Sequence, residues 1–202
     1  MGNNIKFSFR VGRVEDCPSI AHRVNHSAQG AVDYLYQGIS TNRSPIELLS
    51  DQMATEVHYS FANTMVAETA GHIVAIALSF PASGLAVNET MLTALTPEKL
   101  HYLKYFCDNS IKDSWHLDAI YVDQEFRQLG LGDQLLSRVK QQAEYYHYPF
   151  LQAFVFANNE GATRFYQSRG FEVDLQIVVD THEFLKDKKR LLRMRCKLGA
   201  NH

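Results

Sequence analysis

The chain has 202 residues, with 20 Lys and Arg against 22 Asp and Glu, a formal net charge of −2, 46% hydrophobic and 21% charged residues. That balance is globular and excludes a disordered chain, and the absence of a basic excess argues against a dedicated nucleic-acid binder. Three widely spaced cysteines, Cys17, Cys107 and Cys196, include no Cys-x-x-Cys pair, the first residues show no apolar signal-peptide core, and no run of eighteen apolar residues occurs. The expectation is a soluble cytoplasmic protein without membrane or nucleic-acid partners.

In chain order, Lys6 to Val11 reads as a strand, with Phe7, Phe9 and Val11 alternating with Lys6, Ser8 and Arg10. Asp16 is placed to cap a helix that has Pro18 in its first turn and Ile20, Ala21 and Val24 on its apolar side. A looser helical stretch covers Ala31 to Tyr36. Ser44-Pro45-Ile46-Glu47 then combines a cap, a first-turn proline and a capping-box glutamate, and Leu48, Leu49, Met53 and Val57 form the apolar face. Thr64 to Glu68 and His72 to Phe80 predict an antiparallel hairpin closed by Thr69-Ala70-Gly71.

Residues 82–114 read as a helical insertion, with a helix start at Thr96-Pro97-Glu98. Trp115 to Val122 is a strand, and a helix follows with Leu131, Leu135, Leu136, Val139 and Ala143 on one face. Phe150 to Ala157 is apolar enough for a strand buried on both faces. A helix from Glu160 to Arg169 closes at Gly170. Two alternating strands end the chain, Phe171 to Val179 and Arg190 to Leu198. The basic run Lys186 to Arg190 reads as a solvated turn between them. The pattern predicts one mixed α/β domain over residues 1–202.

Between the central strand and its helix lies Arg127-Gln128-Leu129-Gly130-Leu131-Gly132. A glycine-punctuated turn at a helix N-terminus exposes successive backbone N–H groups, and the helix dipole favours negative charge there. Glycine is needed where φ is positive or a phosphate approaches the backbone. The turn therefore predicts a phosphate or pyrophosphate site. No Gly-Lys-Ser/Thr ending follows, which argues against a P-loop, and no acid is placed for a dinucleotide ribose.

Roughly thirty residues downstream stand Asn159, Ala162, Tyr166, Gly170 and Phe171, an Asn-x-x-Ala-x-x-x-Tyr segment leading into Gly-Phe. Together with Val122, Arg127, Gly130 and Gly132, this resembles the GNAT superfamily of acyl-CoA-dependent N-acyltransferases. The resemblance runs from about Phe7 to Leu198 and is most specific over Leu117 to Phe171. It implies a mostly antiparallel sheet of about seven strands flanked by helices, with the insertion before the fourth strand. It implies acetyl-CoA as co-substrate, with the pyrophosphate on Arg127, Gln128, Gly130, Leu131, Gly132 and Asp133. Backbone of Ile120, Tyr121 and Val122 would face the pantetheine arm, Asn159 would hydrogen-bond it, and Tyr166 would be the general acid.

Acyl transfer from a thioester to an amine needs a neutral nucleophile, a polarised carbonyl and a proton for the leaving thiolate. For the base, Asp118 is chosen over His116, two residues earlier on the same strand, and over Glu68 on the hairpin. Tyr166 could also serve packing alone, and Asn159 could serve as a helix cap alone. The resemblance sets the acceptor pocket among Tyr34, Tyr36, His58, Tyr59, Phe61, His101, Tyr102 and Tyr105, although helix packing also explains these residues. The expected partner is a small-molecule or peptide amine, with the last apolar strands able to pair in a homodimer. A non-catalytic acyl-CoA-binding module on the same fold is the alternative. The nine histidines have no ligand spacing, so no metal is expected.

Overall fold

The computed structural model describes residues 5–180 and 190–199. Among these residues, seven strands form one open sheet in the order β1-β2-β3-β4-β5-β7-β6. These are β1 (Ser8–Val11), β2 (Thr64–Thr69), β3 (His72–Pro81), β4 (Ser114–Val122), β5 (Phe150–Phe156), β6 (Glu172–Val178) and β7 (Arg190–Lys197). Only β4 and β5 pair parallel; the other neighbours are antiparallel. The mixed, mostly antiparallel sheet is the one expected. The basic run falls at residues 186–190, outside the described residues except for Arg190.

Among the described residues, seven α-helices join these strands: α1 (Cys17–Ala28), α2 (Ala31–Tyr36), α3 (Pro45–Thr55), α4 (Glu89–Ala94), α5 (Pro97–Asp108), α6 (Leu131–Tyr145) and α7 (Glu160–Gln167). The insertion thus holds two helices, the first capped by Asn88, whose side chain accepts from Met91 N–H at 2.9 Å. The hairpin turn is of the primed kind, with Ala70 at φ 49° and Gly71 at φ 79°, matching the right-handed twist of its strands. Ser44 and Glu47 make the predicted capping box: Ser44 N–H donates to Glu47 at 2.8 Å, and Glu47 N–H to Ser44 Oγ at 3.3 Å.

Two apolar layers sandwich the sheet. On one side α6 buries Leu131, Leu135, Leu136, Val139 and Ala143 against Leu117, Leu151, Ala153 and Met194. On the other, Ile20, Val24, Leu49 and Met53 from α1 and α3 cover Val66, Ile76, Leu78 and Ala119. Each of these side chains is removed almost wholly from water, an effect of roughly 1.5–3 kcal/mol per large aliphatic residue. Val57 lies past the end of α3 and is exposed, so it leaves the predicted apolar face. Strand β1 starts two residues later than expected, and α7 ends two residues earlier.

Asp16 sits at the N-cap of α1, but its carboxylate caps nothing there. It accepts instead from Arg13 N–H at 2.8 Å and from the Arg10 guanidinium at 2.6 and 3.1 Å, while Arg10 also donates to Glu68 at 2.9 Å. The Arg10 bond holds the Asp16 carboxyl below the ordinary carboxylate range. A depressed folded-state pKa stabilises above the unfolded value of about 3.9 and is lost as pH falls through the folded one. The melting temperature of the wild type is therefore expected to fall more steeply from pH 5 to pH 3 than that of Asp16→Asn, which melts lower at pH 7. Parallel melting curves against pH would show that this pair contributes nothing.

A β-bulge sits at Asp118. Leu78 pairs with Ala119 and Ser79 with Leu117, which leaves Asp118 without a β3 partner. Side-chain alternation resets there: Leu117 packs on the α6 side and Ala119 on the α1 and α3 side. A second break in β6 leaves Asp174 out of register, between Val173↔Met194 and Leu175↔Arg193. Asp174 is paired with Arg193 at 2.9 Å and lies 3.6 Å from Arg195, and Val173 is exposed rather than continuing the predicted alternation. Bulges re-aim a side chain and recur beside functional sites.

Candidate active site

Strands β4 and β5 pair only at Ser114–His116 with Phe150–Gln152 and then part. The gap becomes a cleft of about 770 Å³. One of its walls is the second half of β4, where Asp118, Ile120, Tyr121 and Val122 line it, and opposite stand Phe154, Val155, Phe156 and Asn159. The glycine turn lines the same cleft, and helices α2, α3 and α5 contribute Tyr36, Leu49 and Tyr102 to it.

The turn has the geometry of an anion cradle. Gln128 lies at φ 64° and Gly130 at φ 77°, two left-handed residues that point successive N–H groups to one side. The first hydrogen bond of α6 runs from Gln134 N–H to Gly130 C=O at 3.1 Å, so the N–H groups of Leu131, Gly132 and Asp133 precede the ladder and have no intrahelical acceptor. At Gly130 no heavy atom lies within 4 Å of where a Cβ would stand, whereas at Gly132 a Cβ would meet the Phe165 ring at 3.1 Å. Gly130 thus serves backbone conformation, and Gly132 lets α7 pack against the start of α6.

The charged side chains of the turn are anchored by their neighbours. Arg127 Nε donates to the Val122 carbonyl at 3.1 Å, and its guanidinium lies 5.6 Å from the centre of the Tyr121 ring. Tyr121 is stacked on its other neighbour, His26, at 5.4 Å. Asp133 is held by Arg169, with contacts of 2.6 and 2.9 Å, and Arg169 in turn lies 3.9 Å over the Phe165 ring. Arg169 lines the cleft and was not anticipated; only the fold brings the C-terminal end of α7 against the first turn of α6. Just ahead of the turn, Arg23 of α1 grips Asp123 at 2.6 and 3.0 Å and the Ile73 carbonyl, tying the end of β4 to its neighbours.

Asn159 caps α7, its Oδ1 accepting from Ala162 N–H at 3.1 Å. It also lines the cleft, so both sequence readings of this residue remain compatible with its position. Tyr166 is buried in the same cleft, edge-on to Phe165 and tilted against Phe171 at 5.0 Å. Desolvation, and secondarily the Asp118 charge, push its phenol well above the ordinary tyrosine value.

The three base candidates separate clearly. Asp118 lines the cleft, partly exposed to it. His116 is 2% exposed, wedged between Phe80 and Phe154, with Nε2 3.5 Å from Asp118. Glu68 is committed to Arg10 at the β1–β2 edge and takes no part in the cleft. Around Asp118 stand Tyr36, Tyr59 and Tyr102. Burial, and to a lesser degree the Asp118 charge, raises the phenols of all three above the ordinary tyrosine value. Cys107 also lines the cleft, and burial raises its thiol pKa. Among the described residues, no cluster of His, Cys, Asp or Glu is arranged to hold a metal, and no helix is long and apolar enough to cross a membrane.

The model of the Acetyltransferase (GNAT) family matches residues 39–171. The chain belongs to this family. No curated protein matches the sequence, but many solved structures share the GNAT fold. One described as an acetyltransferase superposes with a TM-score of 0.65 at 22% identity, covering 95% of this chain and 100% of its own. An N-acetyltransferase from Staphylococcus aureus Mu50 gives 0.65 at 16%, covering 93% and 99%. The yncA protein of Salmonella typhimurium, solved with its cofactor acetyl-CoA, gives 0.60 at 17%, covering 98% and 96%. GNAT acetyltransferases use acetyl-CoA, and the cleft suits it: N–H donors without an intrahelical acceptor line the same cavity as the parted strands β4 and β5.

Proposed function

We propose that this protein is an N-acetyltransferase that moves the acetyl group of acetyl-CoA directly to a primary amine. The observation that carries this reading is the convergence of the glycine turn, Tyr166 and Asp118 on one cleft. Arg127, Gln128, Gly130, Leu131, Gly132 and Asp133 would hold the pyrophosphate, mainly through backbone N–H groups. The backbone of Ile120, Tyr121 and Val122 would meet the pantetheine arm, with the Asn159 amide alongside it.

When bound, acetyl-CoA supplies a thioester whose acyl carbon is open to an amine. Asp118 takes a proton from the substrate ammonium and so frees the nitrogen lone pair. Backbone N–H groups of β4 beyond His116, released from β5 by the parting of the strands, are available to the acyl oxygen as preorganised donors. As the new C–N bond replaces the C–S bond, Tyr166 gives its proton to the sulfur. Of the two protons leaving the nitrogen, one restores Tyr166 through solvent and the other is released. A phenol held above its usual pKa stays protonated for this task. The raised thiol pKa of Cys107 argues against an acyl-enzyme through that residue.

Thermal shift combined with thiol release tests the proposal. A ligand at 100 times its dissociation constant adds about 2.7 kcal/mol, and each kcal/mol shifts melting by about 2–4 °C in a domain of this size. Acetyl-CoA is expected to raise the melting temperature on that scale, and a panel of primary amines to drive CoA release. No shift would overturn the cofactor assignment. A shift without thiol release from any amine would mark a non-catalytic acyl-CoA-binding module.

A further inference from the structure

The acceptor end of the cleft has a simple charge pattern. Of the described charged side chains lining the cleft, Arg127, Asp133 and Arg169 belong to the glycine turn and its Arg169 partner, which leaves Asp118, near Tyr36, Tyr59 and Tyr102, as the one other formal charge. Around it the walls are apolar and aromatic, with Leu49, Phe80, Leu85, Met91, Leu103 and Phe106 among them. Tyr36 is fixed by a hydrogen bond to Gln52, and Tyr59 lines the same cleft and packs edge-on against Phe80. Tyr102, only 4% exposed, has a hydroxyl without any hydrogen-bond partner. A buried, unpaired hydroxyl destabilises a protein unless something else satisfies it.

We infer that the acceptor is a primary monoamine with an apolar body, an alkyl or aryl-alkyl amine, whose ammonium is held by Asp118 within the ring of Tyr36, Tyr59 and Tyr102. This rests on the N-acetyltransferase reading above. One carboxylate matches one ammonium, and tyrosine faces and hydroxyls add cation–π attraction and a hydrogen bond. The further ammonium groups of a polyamine or aminoglycoside would lie against apolar walls; the other described carboxylate near Tyr36, Glu56, accepts from the Asn88 amide at 3.0 Å and does not line the cleft. An amino-acid acceptor would bring its own carboxylate toward Asp118 with no described arginine or lysine at that end to receive it. The apolar walls are contributed largely by the segment 85–107, so the insertion sets this preference.

Calorimetric titration of the CoA-loaded protein separates recognition from turnover. The probes are 2-phenylethylamine, its neutral counterpart 2-phenylethanol, spermidine and an N-acetylated lysine tripeptide. Phenylethylamine is expected to bind about 10- to 100-fold more tightly than the alcohol, the span of one charge-assisted hydrogen bond. Asp118→Asn should erase that difference. Tyr102→Phe should weaken amine binding several-fold without lowering the melting temperature of the free protein, a combination that a purely structural hydroxyl would not produce. Equal binding of amine and alcohol, no binding of the amine, or tighter binding of spermidine or the peptide would overturn the inference. Turnover of spermidine or the peptide alone would do so while leaving the transferase reading intact; selective amine binding without thiol release would sink the transferase reading instead.

Discussion

Replacing Tyr166 by Phe is expected to lower kcat by about 10²- to 10⁴-fold, the usual contribution of a positioned proton donor, with little change in affinity for acetyl-CoA. The substitution removes one oxygen and keeps the ring that packs on Phe165 and Phe171, so the melting temperature should hold. The pH dependence gives a second readout. Burial and the Asp118 charge keep the phenol protonated well above its ordinary pKa, so no decline in rate from ionisation of Tyr166 should appear up to pH 10. A limb rising with pH at lower values would belong to deprotonation of the amine and should survive in the variant. Unchanged kcat in Tyr166→Phe would assign this residue to packing alone.

Gly132→Leu should abolish acetyl-CoA binding more completely than any charge substitution in the turn. The Cβ would stand 3.1 Å from the Phe165 ring, and the rest of the side chain must displace that ring or enter the cleft. Either outcome disturbs the N–H groups of Leu131, Gly132 and Asp133. Displacing Phe165 also moves the helix that carries Tyr166 and loosens the Arg169–Asp133 pair. The expected result is loss of the acetyl-CoA thermal shift, with the free protein destabilised by about 1–3 kcal/mol, the range for overpacking. Arg127→Ala is the contrast. Its guanidinium serves the Val122 carbonyl and the Tyr121 ring, while the backbone donors of the turn remain, so binding should weaken modestly. Retention of a full shift by Gly132→Leu would move the pyrophosphate site away from the turn.

What the sequence by itself determined is whatever local chemistry specifies. The Ser44–Glu47 box, the primed turn at Ala70-Gly71, the buried stripe of α6 and the glycine turn ahead of it all depend on residues within about four positions of one another. Each of the two motifs between Val122 and Phe171 is local in the same way, and it was their joint resemblance to the GNAT superfamily that pointed to the family. Asp16 misled because a cap residue can find stronger partners: the Arg10 guanidinium and the Arg13 N–H take its carboxylate in place of the N–H groups of α1. Only the tertiary structure decided the rest. The bulge at Asp118 arises because Leu117 and Ala119 are both drawn into apolar layers on opposite faces, which a regular strand does not allow. Nothing in the alternation of β4 announces that slip. Glu68 left the candidate site and Arg169 entered it through ion pairs between segments 58 and 36 residues apart. The ring of tyrosines at Asp118 assembles from α2, the loop after α3, and α5. Such convergence is set by how layers stack on the sheet, and a linear pattern carries no record of it.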